Sequence, residues 1–365
     1  PMFYDLINQT LLKLPIIGEW YYWNSAGLKR RYYLQLARWG RLRPIAFVIW
    51  LCTYKCNLHC PYCEASAGDS GIDELSDREA MDMLIDLKLA GVKRLLISGG
   101  EPLMRPGIIP LMHRMTELGI RPGLLSNGVL VESFWPELKK MKLFMYQTSL
   151  DGIPSYHDQV RGEAGAYKAA MASLDLAATG GVPIRNINTV VHPGNIDQLG
   201  AMLDDVRRSG ATAWSLTPVA QVGRAAGGEF GLDHHQLIRM AEFITQNHAL
   251  FPVELSESHS YLSCFSQTRL DRPFFCAAGL TRASIMPNGD VLGCNQVYDH
   301  SLAEGNIRTS PFSRLWKTGF QRFRSDPPPD LCRSCRFLSA CQAGCWAEWN
   351  RRGVCMKDTW FTDEK

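Results

Sequence analysis

The sequence predicts an α/β protein, a parallel sheet with crossover helices followed by a small cysteine-rich C-terminal domain. Three observations carry this. Short apolar, strand-like runs alternate with helix-like stretches from Ile45 to about Pro218. Three cysteines, Cys56, Cys60 and Cys63, sit on a loop straight after the first apolar run. A larger cysteine array fills the chain beyond Arg272.

The elements read as follows. Residues 1–44 carry nine aromatics, and no acidic residue occurs from Trp20 to Cys63, whereas Lys29, Arg30, Arg31, Arg38, Arg41 and Arg43 cluster there. Leu28, Tyr32, Leu36 and Trp39 share one helix face, so this extension is expected to pack across the β/α body with its arginines in solvent. An anionic lipid surface or an acidic peptide is the sharper alternative for it. Strands are expected at Ile45–Leu51, Arg94–Ser98, Gly123–Ser126, Leu143–Leu150, Ile184–Val191 and Ala213–Thr217. Helices are expected at Ser76–Ala90, Gly107–Leu118, Val131–Lys140, Gly165–Ala178 and Asn195–Arg208, the first opened by the capping box Ser76-Asp77-Arg78-Glu79. Such alternation means parallel strands joined by crossover helices. Six units fall short of the eight that close a barrel. Gln221–Gly231 is glycine-rich and reads as a linker, and His234–Leu250 reads as a helix. The expected divisions are 1–44, 45–225, 226–270 and 271–365.

With 365 residues, 46% hydrophobic and 21% charged, the chain is an ordinary globular one with room for two domains. A net charge of +3 gives no argument for nucleic acid. Twelve cysteines without an export signal favour metal or redox chemistry over disulfides, and hence a cytoplasmic protein. No apolar run approaches the length of a membrane span.

Cys56-x3-Cys60-x2-Cys63 is the most informative stretch. Three thiolates are one fewer than a closed zinc or iron–sulfur site uses. A cluster held by three cysteines keeps one iron open to a small molecule. A zinc knuckle is the plainer alternative, with His59 the nearest fourth ligand. The spacing, with Tyr62 before the third cysteine, resembles the signature of radical S-adenosylmethionine (SAM) enzymes. The resemblance implies a partial (β/α)6 barrel. It also implies a [4Fe–4S] cluster whose open iron chelates SAM, and reductive cleavage of SAM to methionine and a 5′-deoxyadenosyl radical. Ser98-Gly99-Gly100-Glu101-Pro102 then resembles the family's GGEP motif, with Glu101 toward the SAM amino group. By the same resemblance Ser126, Asn127, Ser149 and Asp151 become SAM-facing polar residues, with Ser149 and Asp151 the better placed for ribose. Arg161 approaches the SAM carboxylate, and Tyr62 lies over the adenine edge. Asn188, Val190 and Leu216 are weaker candidates, since buried strand residues are more often core.

Cys276-x12-Gly289-x4-Cys294, then Cys332-x2-Cys335-x5-Cys341-x3-Cys345 and Cys355, resemble the SPASM domain, which holds two auxiliary iron–sulfur clusters. A pair of zinc sites is the plainer alternative. The resemblance assigns Cys276, Cys294 and Cys345 to the first cluster, with Cys264 as the upstream candidate for a fourth ligand. It assigns Cys332, Cys335, Cys341 and Cys355 to the second. Cys52, at the end of the first strand, is left as a plain buried thiol.

What the family implies for the reaction is hydrogen-atom abstraction from a substrate, fed by a donor such as flavodoxin or ferredoxin. Peptide maturation by crosslinking, oxidation or epimerisation is the first expectation. The stretch before Ile45 offers no room for the peptide-recognition domain many such enzymes carry, which weighs against this expectation and leaves recognition by a separate protein as its complement. Oxidation of a protein side chain is marked down: enzymes of that type carry Asp after the cysteine equivalent to Cys294, and here it is Asn295. A tetrapyrrole, sugar or lipid-like substrate is the alternative, and a non-catalytic iron–sulfur or zinc protein the reading of another class.

Overall fold

The strand carrying the three-cysteine loop lies inside one sheet, not at its edge. The computed structural model describes residues 15–42, 47–68, 71–256, 275–324, 330–353 and 355, with residues 15–24, 340 and 352 described by backbone alone. In chain order the elements begin α1 (Pro15–Arg38), β1 (Phe47–Leu51), α2 (Asp77–Leu89), β2 (Arg94–Ser98), α3 (Ile108–Glu117) and β3 (Arg121–Leu125). Next come α4 (Val131–Leu138), β4 (Met145–Ser149), α5 (Pro154–Arg161), α6 (Ala166–Thr179), β5 (Ile184–Val191), α7 (Leu199–Arg208) and β6 (Ala213–Pro218). After these run α8 (His234–Asn247), β7 (Val253–Leu255), β8 (Arg282–Ile285), β9 (Asp290–Leu292) and β10 (Gly305–Asn306). Short helices α9 (Phe312–Thr318), α10 (Gln321–Arg324), α11 (Asp330–Arg333), α12 (Leu338–Cys341) and α13 (Trp346–Arg352) complete it.

The ten strands form one sheet in the order β10-β9-β8-β1-β2-β3-β4-β5-β6-β7. β1 to β7 are parallel throughout. Parallel strands covered on both faces read as continuous apolar runs, and β1 does. Its Val48 and Trp50 face the helices, packing with Leu84, Leu87, Leu95 and Ile97. Its Ile49 and Leu51 face the other way, against Leu96, Phe144, Met286 and Leu292.

The six expected strand–helix units are present, and the capping box forms: Ser76 accepts from the Glu79 amide, and Glu79 accepts from the Ser76 amide at 2.8 Å. Several expectations are corrected. β3 begins at Arg121, ahead of Gly123; a Cβ on Gly123 would strike Leu96 and Phe144, so glycine there admits the neighbouring side chains. A seventh strand, β7, pairs with β6. Three further strands extend the β1 edge, where no strand was foreseen: β8 parallel to β1, then β9 and β10 antiparallel. α5 was unforeseen although its punctuation stands in the sequence, Pro154 in the first turn and Gly162 in the left-handed conformation at the end.

α1 does not place its aromatic stripe across the body. Leu28, Tyr32 and Trp39 are 45%, 60% and 60% exposed. The helix rests instead on the C-terminal segment. Gly27 lies against Ser339 and Gln342, Tyr33 meets the Phe275 ring at 5.5 Å, and Arg30 donates to the Phe323 carbonyl at 3.4 Å. The packed side of the helix is made by Ser25, Ala26, Gly27, Tyr33, Leu34 and Ala37, and of the stripe only Leu36 shares in it.

Candidate active site

The chain leaving β1 stays beside the chain leaving β2. Cys52 donates to the Ser98 carbonyl, Gly100 to that of Thr53 and Glu101 to that of Lys55, each at 2.8 Å. This approach needs both glycines. A Cβ on Gly99 would strike the Thr53 carbonyl oxygen, and one on Gly100 that of Lys55. Two charged residues, half-buried Glu74 and buried Arg105, brace the segment. Glu74 accepts from the Thr53 hydroxyl at 2.9 Å and the Tyr54 amide at 2.7 Å. Arg105 donates to the Cys52 carbonyl at 2.9 Å and to that of Leu75 at 2.6 Å.

The loop that follows presents Cys56, Cys60 and Cys63 over the C-terminal ends of the strands. Its inner side packs Leu58, Cys60 and Tyr62 against Val219 and Ala225, beyond β6. All three thiols are free. Burial pushes Cys56 up to about 11, against an opposing bond from the Leu58 amide. Burial also raises Cys60, with the Arg161 and Arg224 charges pulling the other way. Three thiols on one loop, Cys60 buried and Cys56 and Cys63 half-buried, fit a cationic iron cluster, since coordination deprotonates thiols outright. Among the described residues no three His, Cys, Asp or Glu side chains converge to hold a single metal ion. Cys52 is fully buried apart from this set, with burial holding its thiol protonated, as a plain core thiol should be.

Glu101 is fully buried. It accepts from the Ser126 hydroxyl at 2.9 Å, the Asn127 amide at 2.8 Å and the Leu103 amide at 3.1 Å. Burial pushes it up to about 7 despite these bonds. A carboxylate buried among neutral donors is costly unless a cation compensates it. Asn127 also donates to Asn57 Oδ1 at 2.9 Å, tying the end of β3 to the cysteine loop.

Asp151, Arg161 and Tyr62 come together. Asp151 Oδ2 accepts from the Tyr62 hydroxyl at 2.6 Å, from Arg161 Nε at 2.7 Å and from Arg161 Nη2. Asp151 Oδ1 accepts from the Val190 amide at 2.9 Å. A carboxylate oxygen has two lone-pair sites, so Oδ2 is fully engaged by the three donors while Oδ1 keeps one site beside the Val190 amide. Asp151 holds the Tyr62 and Arg161 side chains in place. Burial alone would raise its pKa, but the Arg161 guanidinium beside it keeps it below the ordinary range. Ser149 closes β4 half-buried beside Asn188, which accepts from Thr217 at 2.8 Å. Leu216 is fully buried in the main core.

The C-terminal cysteines fall into groups. Cys345 is raised by burial and then by the nearby Cys276 and Cys294, and Cys294 is pushed up to about 11 by burial first. Cys332 is raised by burial, then by Cys355 and Cys335. Cys341 ends α12. Cys264 lies outside the described residues.

Sequence reasoning missed Arg224, His192 and Asn195. The segment read as a linker carries Arg224, whose guanidinium donates to the carbonyls of Cys60 and Ala67. His192 is buried with its ring 5.1 Å from Tyr62, and its Nε2 has no partner among the described residues. Asn195 Nδ2 donates to the carbonyls of Asp151 and Val190 at 2.9 and 2.8 Å. A polar residue just past a parallel strand's C-terminal end was the available signal.

Residues 50–206 match the Radical SAM superfamily, and residues 276–336 match the SPASM iron–sulfur cluster-binding domain. The chain belongs to the radical SAM enzymes. Within them it is of the SPASM type, with the auxiliary iron–sulfur domain at its C-terminal end. Mycofactocin maturase MftC of Mycobacterium tuberculosis (strain ATCC 25618 / H37Rv) is 29% identical over 308 residues, 82% of this chain and 77% of the relative. PqqA peptide cyclase of Rhizobium meliloti (strain 1021) is 29% identical over 317 residues, 83% of this chain and 82% of the relative. AdoMet-dependent heme synthase of Methanosarcina barkeri (strain Fusaro / DSM 804) is 25% identical over 323 residues, covering 82% and 90%. Among solved structures, Streptococcus suis SuiB bound to precursor peptide SuiA superposes with a TM-score of 0.71 at 19% identity, covering 92% of this chain and 79% of SuiB. That likeness is one of fold. No helix among the described residues is long and apolar enough to cross a membrane.

Proposed function

We propose that this enzyme matures a ribosomally made peptide. The observation that carries this is the likeness, over four-fifths of the chain, to a maturase and a peptide cyclase. Cys56, Cys60 and Cys63 would hold a [4Fe–4S] cluster with one iron open to SAM. When both are bound and an electron arrives, they supply a 5′-deoxyadenosyl radical that takes a hydrogen atom from the substrate. The electron donor would be of flavodoxin or ferredoxin type, in the cytoplasm, and a separate protein could present the peptide. Cys276, Cys294 and Cys345, with Cys332, Cys335, Cys341 and Cys355, would hold two auxiliary clusters. Cys264 remains the candidate for the last ligand.

The chain's own residues bind and orient. Gly99 and Gly100 let the chain leaving β2 close on the chain that leads into the cysteine loop, Glu101 receives the cofactor's ammonium group, and Asn127 fixes the loop carrying the first cysteine. Asp151 holds Arg161 and Tyr62 at the far side, Arg161 for the SAM carboxylate. Ser126 and Ser149 complete the polar lining. Tyr62, with His192 and Phe230 around it, keeps water from the adenine side.

Glu101 makes this testable by protons. With its pKa pushed to about 7, the carboxyl of the SAM-free protein is half protonated near neutrality. A bound ammonium favours the charged form. SAM binding should therefore release a proton around pH 7, and affinity should fall as pH drops below that, by up to about tenfold per unit. The sign for stability is opposite. A carboxyl with raised folded pKa contributes its stabilisation below its unfolded value, about 4.3, and loses it as pH rises through about 7. Calorimetric titration in buffers of different ionisation enthalpy reads the proton directly. In Glu101→Gln the release should vanish, with SAM affinity reduced about 10–100-fold.

The activity test is anaerobic incubation of reconstituted, reduced protein with SAM and short peptides encoded beside its gene. A SAM-dependent change in peptide mass supports maturation. SAM cleavage with porphyrin precursors and not peptides would favour the second reading, a tetrapyrrole substrate, which the heme synthase likeness supports.

A further inference from the structure

The segment after β6 does more than connect. Gly223, at φ +57°, lies so close to the cysteine loop that a Cβ there would strike the carbonyl oxygens of Cys63 and Glu64. The next amide, of Arg224, donates to the Cys63 carbonyl at 3.1 Å. The Arg224 guanidinium then forks: Nε donates to the Cys60 carbonyl and Nη1 to the Ala67 carbonyl, both at 2.7 Å. One residue thus grips the loop at its second cysteine, its third cysteine and its exit. Ala225 anchors the grip, 1% exposed against Leu58 and Tyr62.

We propose that Arg224 is the positioning residue of the three-cysteine loop, fixing it to the end of β6 so that its thiolates share one geometry. The inference rests on the reading that these cysteines hold the SAM-binding cluster. Loops need such a device, because their backbone groups lack the ladder partners of strands. The planar fork matters. It satisfies two carbonyls at a set separation, which a lysine ammonium on a flexible stem does not fix. Its charge also faces a loop that would carry three thiolates. Residues that orient metal ligands from behind typically matter 10–100-fold in affinity or activity.

The test uses the full-length protein, reconstituted and reduced, with electron paramagnetic resonance recorded before and after adding SAM. Only a cluster that binds SAM changes its spectrum. Arg224→Ala should weaken SAM affinity, read as the SAM concentration giving half the spectral change, by about 10–100-fold. The SAM-insensitive signals should remain. Arg224→Lys keeps the charge and the fold, so its cluster potential should stay near wild type while SAM affinity still falls several-fold. If Arg224→Ala loses every cluster, the lysine variant decides. A lysine or alanine variant with wild-type SAM response overturns the proposal. A wild-type protein with no SAM-responsive signal overturns the cluster reading itself, and the proposal with it.

Discussion

Asp151→Ala is expected to cost about 3–5 kcal/mol of folding stability, the usual penalty for removing one partner of a buried charge pair. The Arg161 guanidinium would be left uncompensated, and the Tyr62 hydroxyl and Val190 amide would each lose an acceptor. Chemical denaturation of the cluster-free protein measures it as a lower midpoint with unchanged slope. The double variant Asp151→Ala/Arg161→Met should cost less than the sum of the two single changes, because it removes the stranded charge as well. The pH dependence follows from the depressed carboxyl. A lowered folded pKa contributes stability above the unfolded value, about 3.9, and loses it as pH falls through the folded one. The wild type should therefore lose stability on acidification below about pH 4, and the Asp151→Ala protein should lose less over that window. An unchanged midpoint would mean that Arg161 finds solvent in the folded protein.

Changing Cys56, Cys60 and Cys63 together to Ala is expected to reduce 5′-deoxyadenosine release to the level without protein. Iron content should drop by about four per chain, one cluster, with the remaining iron kept. The loop is held through backbone carbonyls and amides, so the fold should survive: Arg224 still reaches the Cys60 and Ala67 carbonyls, and Gly100 still reaches Thr53. Circular dichroism and iron analysis on one sample separate the outcomes. Release that persists in the triple variant would remove these cysteines from the chemistry.

Local signals carried much of the architecture. The segments Arg94–Ser98 and Ile184–Val191 are strands with those bounds: the first is an apolar Leu95-Leu96-Ile97 core between polar ends, the second is rich in the β-branched residues Ile184, Ile187, Thr189, Val190 and Val191. The capping box at Ser76 marked α2 because its partners lie within one helical turn. What was missed depends on partners far along the chain. β8 is a short strand whose assignment comes from pairing with β1, more than two hundred residues earlier. The exposed stripe of α1 has helical spacing, yet spacing says nothing about which face finds a neighbour. The site divides likewise. Glu101 and the cysteines are legible as motifs. The commitment of Asp151 to Arg161 is not, since sequence names donors and acceptors without saying who reaches whom. Arg224 hid in glycine-rich surroundings, where the glycine that signalled a linker was there for close approach.

The place of β1 between β2 and β8 bears on how the molecule is made. β1 emerges early in synthesis, and its second edge has no backbone partner until residues 282–285 follow. Until then it is an open, apolar strand edge of the kind that recruits other chains. β8 of the auxiliary domain thus covers the open edge of the strand that launches the cysteine loop. A chain cut short before Arg282 would aggregate for want of an edge cover, whatever became of its clusters.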